Sequence, residues 1–149
     1  MKRIFFSFLL VMMLISFNQV IAQPKKITFC EGMQLVQKAF QDGKVDELKG
    51  SVSTDNKYNF NSKIDIDEVH DEFVGTNIGT YYRLTYKATN SALEQDKFMN
   101  ELVGKLEQCF NKKAKQSKIN GYKVIVGKVV FSAMQLGSKA IILSISDDE

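Results

Sequence analysis

Histidine is nearly absent from this chain: His70 is the only one among 149 residues. A Ser-His-Asp or Cys-His catalytic centre would have to recruit that one ring. Gly-x-Ser-x-Gly does not occur, and neither does Gly-x-Gly-x-x-Gly. Gly121-YKVIV-Gly127-Lys128 has two glycines and a lysine, but five residues separate the glycines and a valine follows the lysine, so it is not a phosphate cradle. Cysteine is scarce too. Cys30 and Cys109 are the only two, so Cys-x-x-Cys is missing and a thioredoxin-like redox site has no motif behind it. With one histidine and two cysteines, a closed zinc site cannot be assembled. Proline occurs once, at Pro24. There is no internal repeat, no linker rich in Pro, Gly or Ser, and no low-complexity block.

Long apolar runs are limited to one. Phe5 to Phe17, FFSFLLVMMLISF, follows Lys2 and Arg3, and precedes Val20 and Ala22 at the −3 and −1 positions of a small-residue cut. That order is the plan of a secretory signal peptide over 1–22, cleaved after Ala22. The run is shorter than the roughly 20 residues a bilayer span needs, so no stable membrane anchor is expected after cleavage. No small residue precedes a cysteine near the cut, which rules against a lipoprotein. The expected mature chain, 23–149, is a single domain of 127 residues in the periplasm or outside the cell. A hydrophobic fraction of 44% over the full chain fits a globular class. Without Lys2 and Arg3 the basic and acidic residues number 18 and 17, which gives no electrostatic case for nucleic acid.

Two helices and five strands are legible in the mature part. Thr28-Phe-Cys-Glu31 is a capping box, followed by Phe29, Met33, Val36 and Phe40 at helical spacing, so a helix is expected to about Gln41. Ser91-Ala-Leu-Glu94 opens a second helix, with Met99, Leu102, Val103, Leu106 and Phe110 on one stripe, to about Lys112. VDEL reads as an extra turn stopped by Gly50 at a C′ position, and SVSTDN as a polar loop. Tyr58 to Asp67 alternates as one strand, Glu72 to Ile78 as a weaker one with a bulge at Gly75, and TYYRLTYKA as a third. YKVIVGKVVFSAM reads as one long strand bent at Gly127, and KAIILSIS as the last, with a frayed acidic tail. The order α-β-β-β-α-β-β predicts an α+β two-layer sandwich, a mainly antiparallel five-stranded sheet with two helices on one face.

This architecture pairs the cysteines. Cys30 lies in the first turn of one helix and Cys109 near the last turn of the other, so antiparallel helices on the sheet bring them together. An exported chain permits the bond, and a structural disulfide is expected.

Two segments carry the remaining chemistry. SKIDIDEVHDE surrounds His70 with five carboxylates, all hard ligands of the kind calcium takes. Asp65, Asp67, His70 and Asp71 are its candidate metal ligands, and a calcium-binding module or metal-dependent hydrolase over 65–72 is the alternative function. The spacing fails the EF-hand pattern: Val69 stands at the third ligand position and Thr76 where the bidentate glutamate belongs. The alternation instead directs Asp65 and Asp67 to water and assigns 68–72 to a turn. In TYYRLTY, alternation sends Tyr82, Leu84 and Tyr86 to the core and leaves Tyr81, Arg83, Thr85 and Lys87 on the other face. Tyr and Arg are frequent interface anchors, so those four form the candidate interaction surface. The leading expectation is a non-enzymatic binding protein with no cofactor, its partner another protein or macromolecule; a homodimer is compatible.

The element order resembles the type III secretion chaperone-like fold, whose members bind unfolded partners, often as dimers, in the cytosol. This chain departs from them in its export signal and in ending after the final strand. Phe29-Cys30-Glu31, Leu48-Lys49-Gly50, Tyr81-Tyr82 and Cys109 also resemble a group of small exported bacterial proteins of unknown function. That likeness implies no catalytic residues.

Overall fold

A computed structural model describes residues 26–87, 91–117, 121–137 and 140–147. The expected signal peptide and its cleavage site lie outside the described residues. Among those described, no helix is long and apolar enough to cross a membrane.

The fold is α+β. After a two-residue strand β1 (Lys26–Ile27) comes helix α1 (Phe29–Gln41). Its capping box forms as the spacing predicts: the Glu31 N–H donates to Thr28 Oγ1, and Glu31 accepts from the Thr28 N–H at 3.0 Å. A 3-10 turn (Val45–Leu48) leads into β2 (Lys49–Val52), then β3 (Asn59–Ser62), β4 (Asp65–Ile66), β5 (Asp71–Gly75) and β6 (Tyr81–Lys87). Helix α2 (Ala92–Phe110) is capped by Ser91, which accepts from the Glu94 N–H, and ends at Asn111 in the left-handed region. Strands β7 (Lys115–Ser117), β8 (Gly121–Val126), β9 (Val129–Leu136) and β10 (Ala140–Asp147) complete the described elements.

Eight strands form one open antiparallel sheet in the order β2-β3-β5-β6-β10-β9-β8-β7. Two runs of neighbouring strands therefore meet at the centre, where β6 pairs with β10. Helix α2 carries the chain from the central β6 to the far edge at β7. Its 19 residues span about 28 Å, ample for four strand spacings of about 4.8 Å.

The strand count corrects the expected five, and each difference has a local cause. YKVIVGKVVFSAM is a hairpin: Val126 pairs with Val129 across Gly127-Lys128, and Gly127 has φ +64°. Glycine at the first central position is what a tight type II′ turn requires. Tyr58 to Asp67 is not one strand. The Ser62 hydroxyl accepts from the Ile64 N–H at 3.0 Å and donates to the Ile64 carbonyl at 2.9 Å, so the side chain competes with the ladder and bends the backbone. The chain then leaves the sheet as β4, which pairs in parallel with β1 beside α1. This small pair adds to the expected layering. Gly50 is no helix cap but part of β2, and a Cβ there would lie 2.8 Å from the Asn61 carbonyl oxygen. The expected bulge at Gly75 is absent, since β5 pairs with β6 in regular register. The last strand extends through Asp147, into the segment expected to fray.

The core is one cluster. Met33, Val36 and Phe40 of α1 and Met99, Leu102 and Leu106 of α2 pack with alternate strand residues. One buried row crosses the sheet through Val74, Tyr82, Ile145, Phe131 and Val124, each directly opposite the next. Cys30 and Cys109 are disulfide-bonded with Cα atoms 5.3 Å apart, joining the start of α1 to the end of α2.

Candidate functional site

The strand residues that alternate with the core row form a second row on the opposite sheet face. Asn61, Phe73, Arg83, Ser144, Ser132, Lys123 and Lys115 stand directly opposite one another, strand by strand, from β3 to β7. Arg83 is its third member, on the central strand β6. The guanidinium carbon sits 5.3 Å from the Phe73 ring centroid and 5.0 Å from that of Tyr81. The two rings meet edge to face at 6.1 Å. Each such cation–π contact contributes about 0.5–1 kcal/mol at an exposed site and more where water is excluded. Arg83 Nε is buried with no hydrogen-bond partner. No ion pair or hydrogen bond engages the guanidinium among the described residues.

Thr85 lies next along β6 on the same face, opposite Asp71 on one side and Ile142 on the other. Lys87 takes the next alternate position, paired with Ala140; its side chain lies outside the described residues. The alternation in TYYRLTY is thus realised as expected, with Tyr82, Leu84 and Tyr86 buried. Sequence reasoning missed Phe73 and Lys123. Phe73 was detectable, because alternation in DEFVG puts Asp71, Phe73 and Gly75 on one face. Lys123 was hidden by the unrecognised hairpin.

Gly75 shapes this face. It stands directly opposite Tyr81, and a Cβ at Gly75 would fall 2.1 Å from Tyr81 Cζ. The Tyr81 ring therefore lies over the glycine, shielding backbone that has no side chain of its own. Gly75→Ala is expected to swing the Tyr81 ring aside and break the stack on Arg83 while the sheet stays paired. Ring-proton shifts of Tyr81 and Phe73 should move, with the far-ultraviolet spectrum unchanged. Unmoved ring resonances would refute this account of Gly75.

The acidic segment disperses. Asp67 faces Lys26 at 3.6 Å, and Glu68, in a left-handed turn at φ +67°, pairs with Lys105 of α2 at 2.7 Å. His70 is exposed, and its backbone N–H donates to the Thr85 carbonyl at 3.0 Å. Asp65 lies in β4 and Asp71 opens β5. Among the described residues no three of His, Cys, Asp and Glu come together in a way that could hold a metal ion. A cleft of about 350 Å³ does separate β4 from the start of β5, lined by Ser62, Asp65, Val69, His70, Asp71 and Glu72 among others.

Glu72 was expected where a solvated turn meets the next strand; its place in the strand holds, and the solvated setting is corrected. It follows the core alternation of β5, opposite Leu84, and turns inward. One oxygen accepts from the Ile66 N–H at 2.9 Å and the other from the Tyr82 hydroxyl at 2.5 Å; Tyr82 also contacts Ser62 Oγ at 2.7 Å. Burial raises the Glu72 pKa, against the lowering effect of those two hydrogen bonds. Burial, then the charge of Glu72, push the Tyr82 hydroxyl far above its ordinary range, so it remains a donor and is no general base. Both Glu72 oxygens are already engaged by the chain, as expected of a structural network rather than a free acid or base.

Comparison of the chain with protein-family models, curated proteins and solved structures gives no match.

Proposed function

We propose that this chain is an exported, non-enzymatic α+β domain, stapled by one disulfide, with its two helices on one face of the sheet and its other face binding another protein. The observation that carries the reading is the cluster of Arg83 against the adjoining Phe73 and Tyr81 rings. It holds a long charged side chain in one place on a sheet face, which lowers the ordering cost of an encounter. Aromatic residues and arginine are the residue types that dominate binding hot spots. Met134, Leu136 and Ile125 add exposed apolar surface in alternating positions of the same face.

Site-specific photo-cross-linking in the cells that make the protein tests this reading. A cross-linker at Tyr81 is expected to give discrete protein adducts, and one at Leu93, exposed on α2, none. Adducts at Leu93 alone would overturn the assignment of the surface.

A further inference from the structure

Resting on that reading of the open face, we infer that the face recognises an extended, acidic polypeptide segment, with Arg83 as the primary carboxylate-binding residue.

Three observations lead there. First, the guanidinium is fixed but unpartnered among the described residues. Two adjoining rings lie against it, its Nε is buried without an acceptor, and no carboxylate of the described chain neutralises it. A guanidinium presents a planar fork of donors that matches a carboxylate, and fixing it beforehand spares the entropy of ordering it on binding. Second, the face is cationic. Arg83, Lys123 and Lys115 lie in one row, and Asp71 is the single carboxylate among the described strand positions that share the face. Lys115 and Lys123 stand directly opposite each other, an arrangement that costs stability unless an anion compensates it.

Third, the spacing fits a polypeptide. Arg83 and Lys123 are three strands apart, on β6 and β8 with β10 and β9 between them, or about 14 Å at the usual strand separation. An extended peptide rises about 3.3–3.4 Å per residue. Carboxylates four residues apart therefore project from one side at about 13–14 Å. Between the two cations lie only Ser144 and Ser132, small hydroxyls over which a peptide can pass. Met134 and Leu136 flank the row on one side and Ile125 on the other, offering contact to aliphatic side chains. A polyanionic glycan brings the charge but no aliphatic side chains for those positions.

The probe is a synthetic peptide with two glutamates four residues apart and leucines between, titrated into the mature oxidised protein and followed by amide chemical shifts. Saturable binding is expected, with shifts on β6, β10, β9 and β8, and weakening as salt is added. Arg83→Ala should raise Kd about tenfold or more, as for loss of a charge-assisted hydrogen bond. Arg83→Lys should fall between, keeping the charge and losing the fork. Lys123 is exposed, so Lys123→Ala leaves the fold intact and should still weaken binding several-fold. Circular dichroism of each variant separates misfolding from lost recognition.

Equal binding of the lysine analogue of the peptide, or Kd unchanged in both Arg83→Ala and Lys123→Ala, overturns the inference. So does a sulfated oligosaccharide that binds this face while the peptide does not. If no peptide binds but cross-links from Tyr81 persist, the acidic partner is wrong and the open face stands. If cross-links arise from Leu93 alone, the face itself is wrong.

Discussion

Removing the Cys30–Cys109 bridge is expected to lower stability by up to about 4.5 kcal/mol, the loop-closure entropy for a ring of some 80 residues. The two cysteines are 79 residues apart in sequence, so the bond encloses both helices and strands β2 to β6. Unbridged, the unfolded chain regains that freedom, while the folded chain loses the tie between the start of α1 and the end of α2. Other contacts at that junction are modest: Gln34 Nε2 donates to the Cys109 carbonyl at 3.4 Å, and Phe110 packs on Phe131 with ring centroids 4.7 Å apart. Typical domains are stable by about 5–15 kcal/mol, so at the upper figure about 30% of the total or more is at stake. Denaturant titration of the oxidised protein against Cys30→Ala/Cys109→Ala measures the effect. Intact mass should show the oxidised chain lighter by the two thiol hydrogens. Coincident unfolding midpoints would refute a stabilising staple.

The bridge was legible because its signals are local. Thr28 and Glu31 mark the start of α1, the stripe from Met99 to Phe110 marks α2, and each cysteine's place on its helix follows. The face of β6 was legible for the same reason, since alternation in TYYRLTY needs no knowledge of neighbours. What stayed hidden depends on partners distant in sequence or on backbone chemistry within two residues. Gly127-Lys128 is a two-residue turn inside an apolar run, and only the pairing of Val126 with Val129 separates it from a bend. Ser62 breaks its strand by bonding to Ile64, although the alternation of apolar residues continues past it. Gly50 follows a helical turn as a C′ glycine would, yet the close Asn61 carbonyl accounts for it. The site divides likewise. Tyr81, Arg83 and Thr85 were readable from alternation, but the row linking Arg83 to Lys123 exists only through the register of β10 and β9.

Glu72 carries the second large effect, because a charged residue on a core-facing strand position depends on the partners it meets. Replacing it by leucine takes the acceptor from both the Ile66 N–H and the Tyr82 hydroxyl. Each buried donor left without a partner costs about 1–3 kcal/mol. Glu72→Leu is therefore expected to destabilise by about 2–4 kcal/mol, after Ser62 takes up part of the Tyr82 hydroxyl's demand. Glu72→Gln keeps an acceptor for Ile66 and offers an N–H to Tyr82, which can then donate to Ser62; it should cost far less. The two variants also differ in pH dependence. With its pKa raised by burial, Glu72 binds its proton more tightly folded than unfolded. Its favourable contribution is then fully present below the ordinary value of 4.5 and is lost as pH rises through the folded pKa. Glutamine stays neutral throughout, so the stability of Glu72→Gln relative to the parent should improve from pH 4.5 upward and then level off. Melting curves of the two proteins across that range decide it. Profiles that run parallel would mean that the carboxylate gains no proton affinity from its place beneath the sheet.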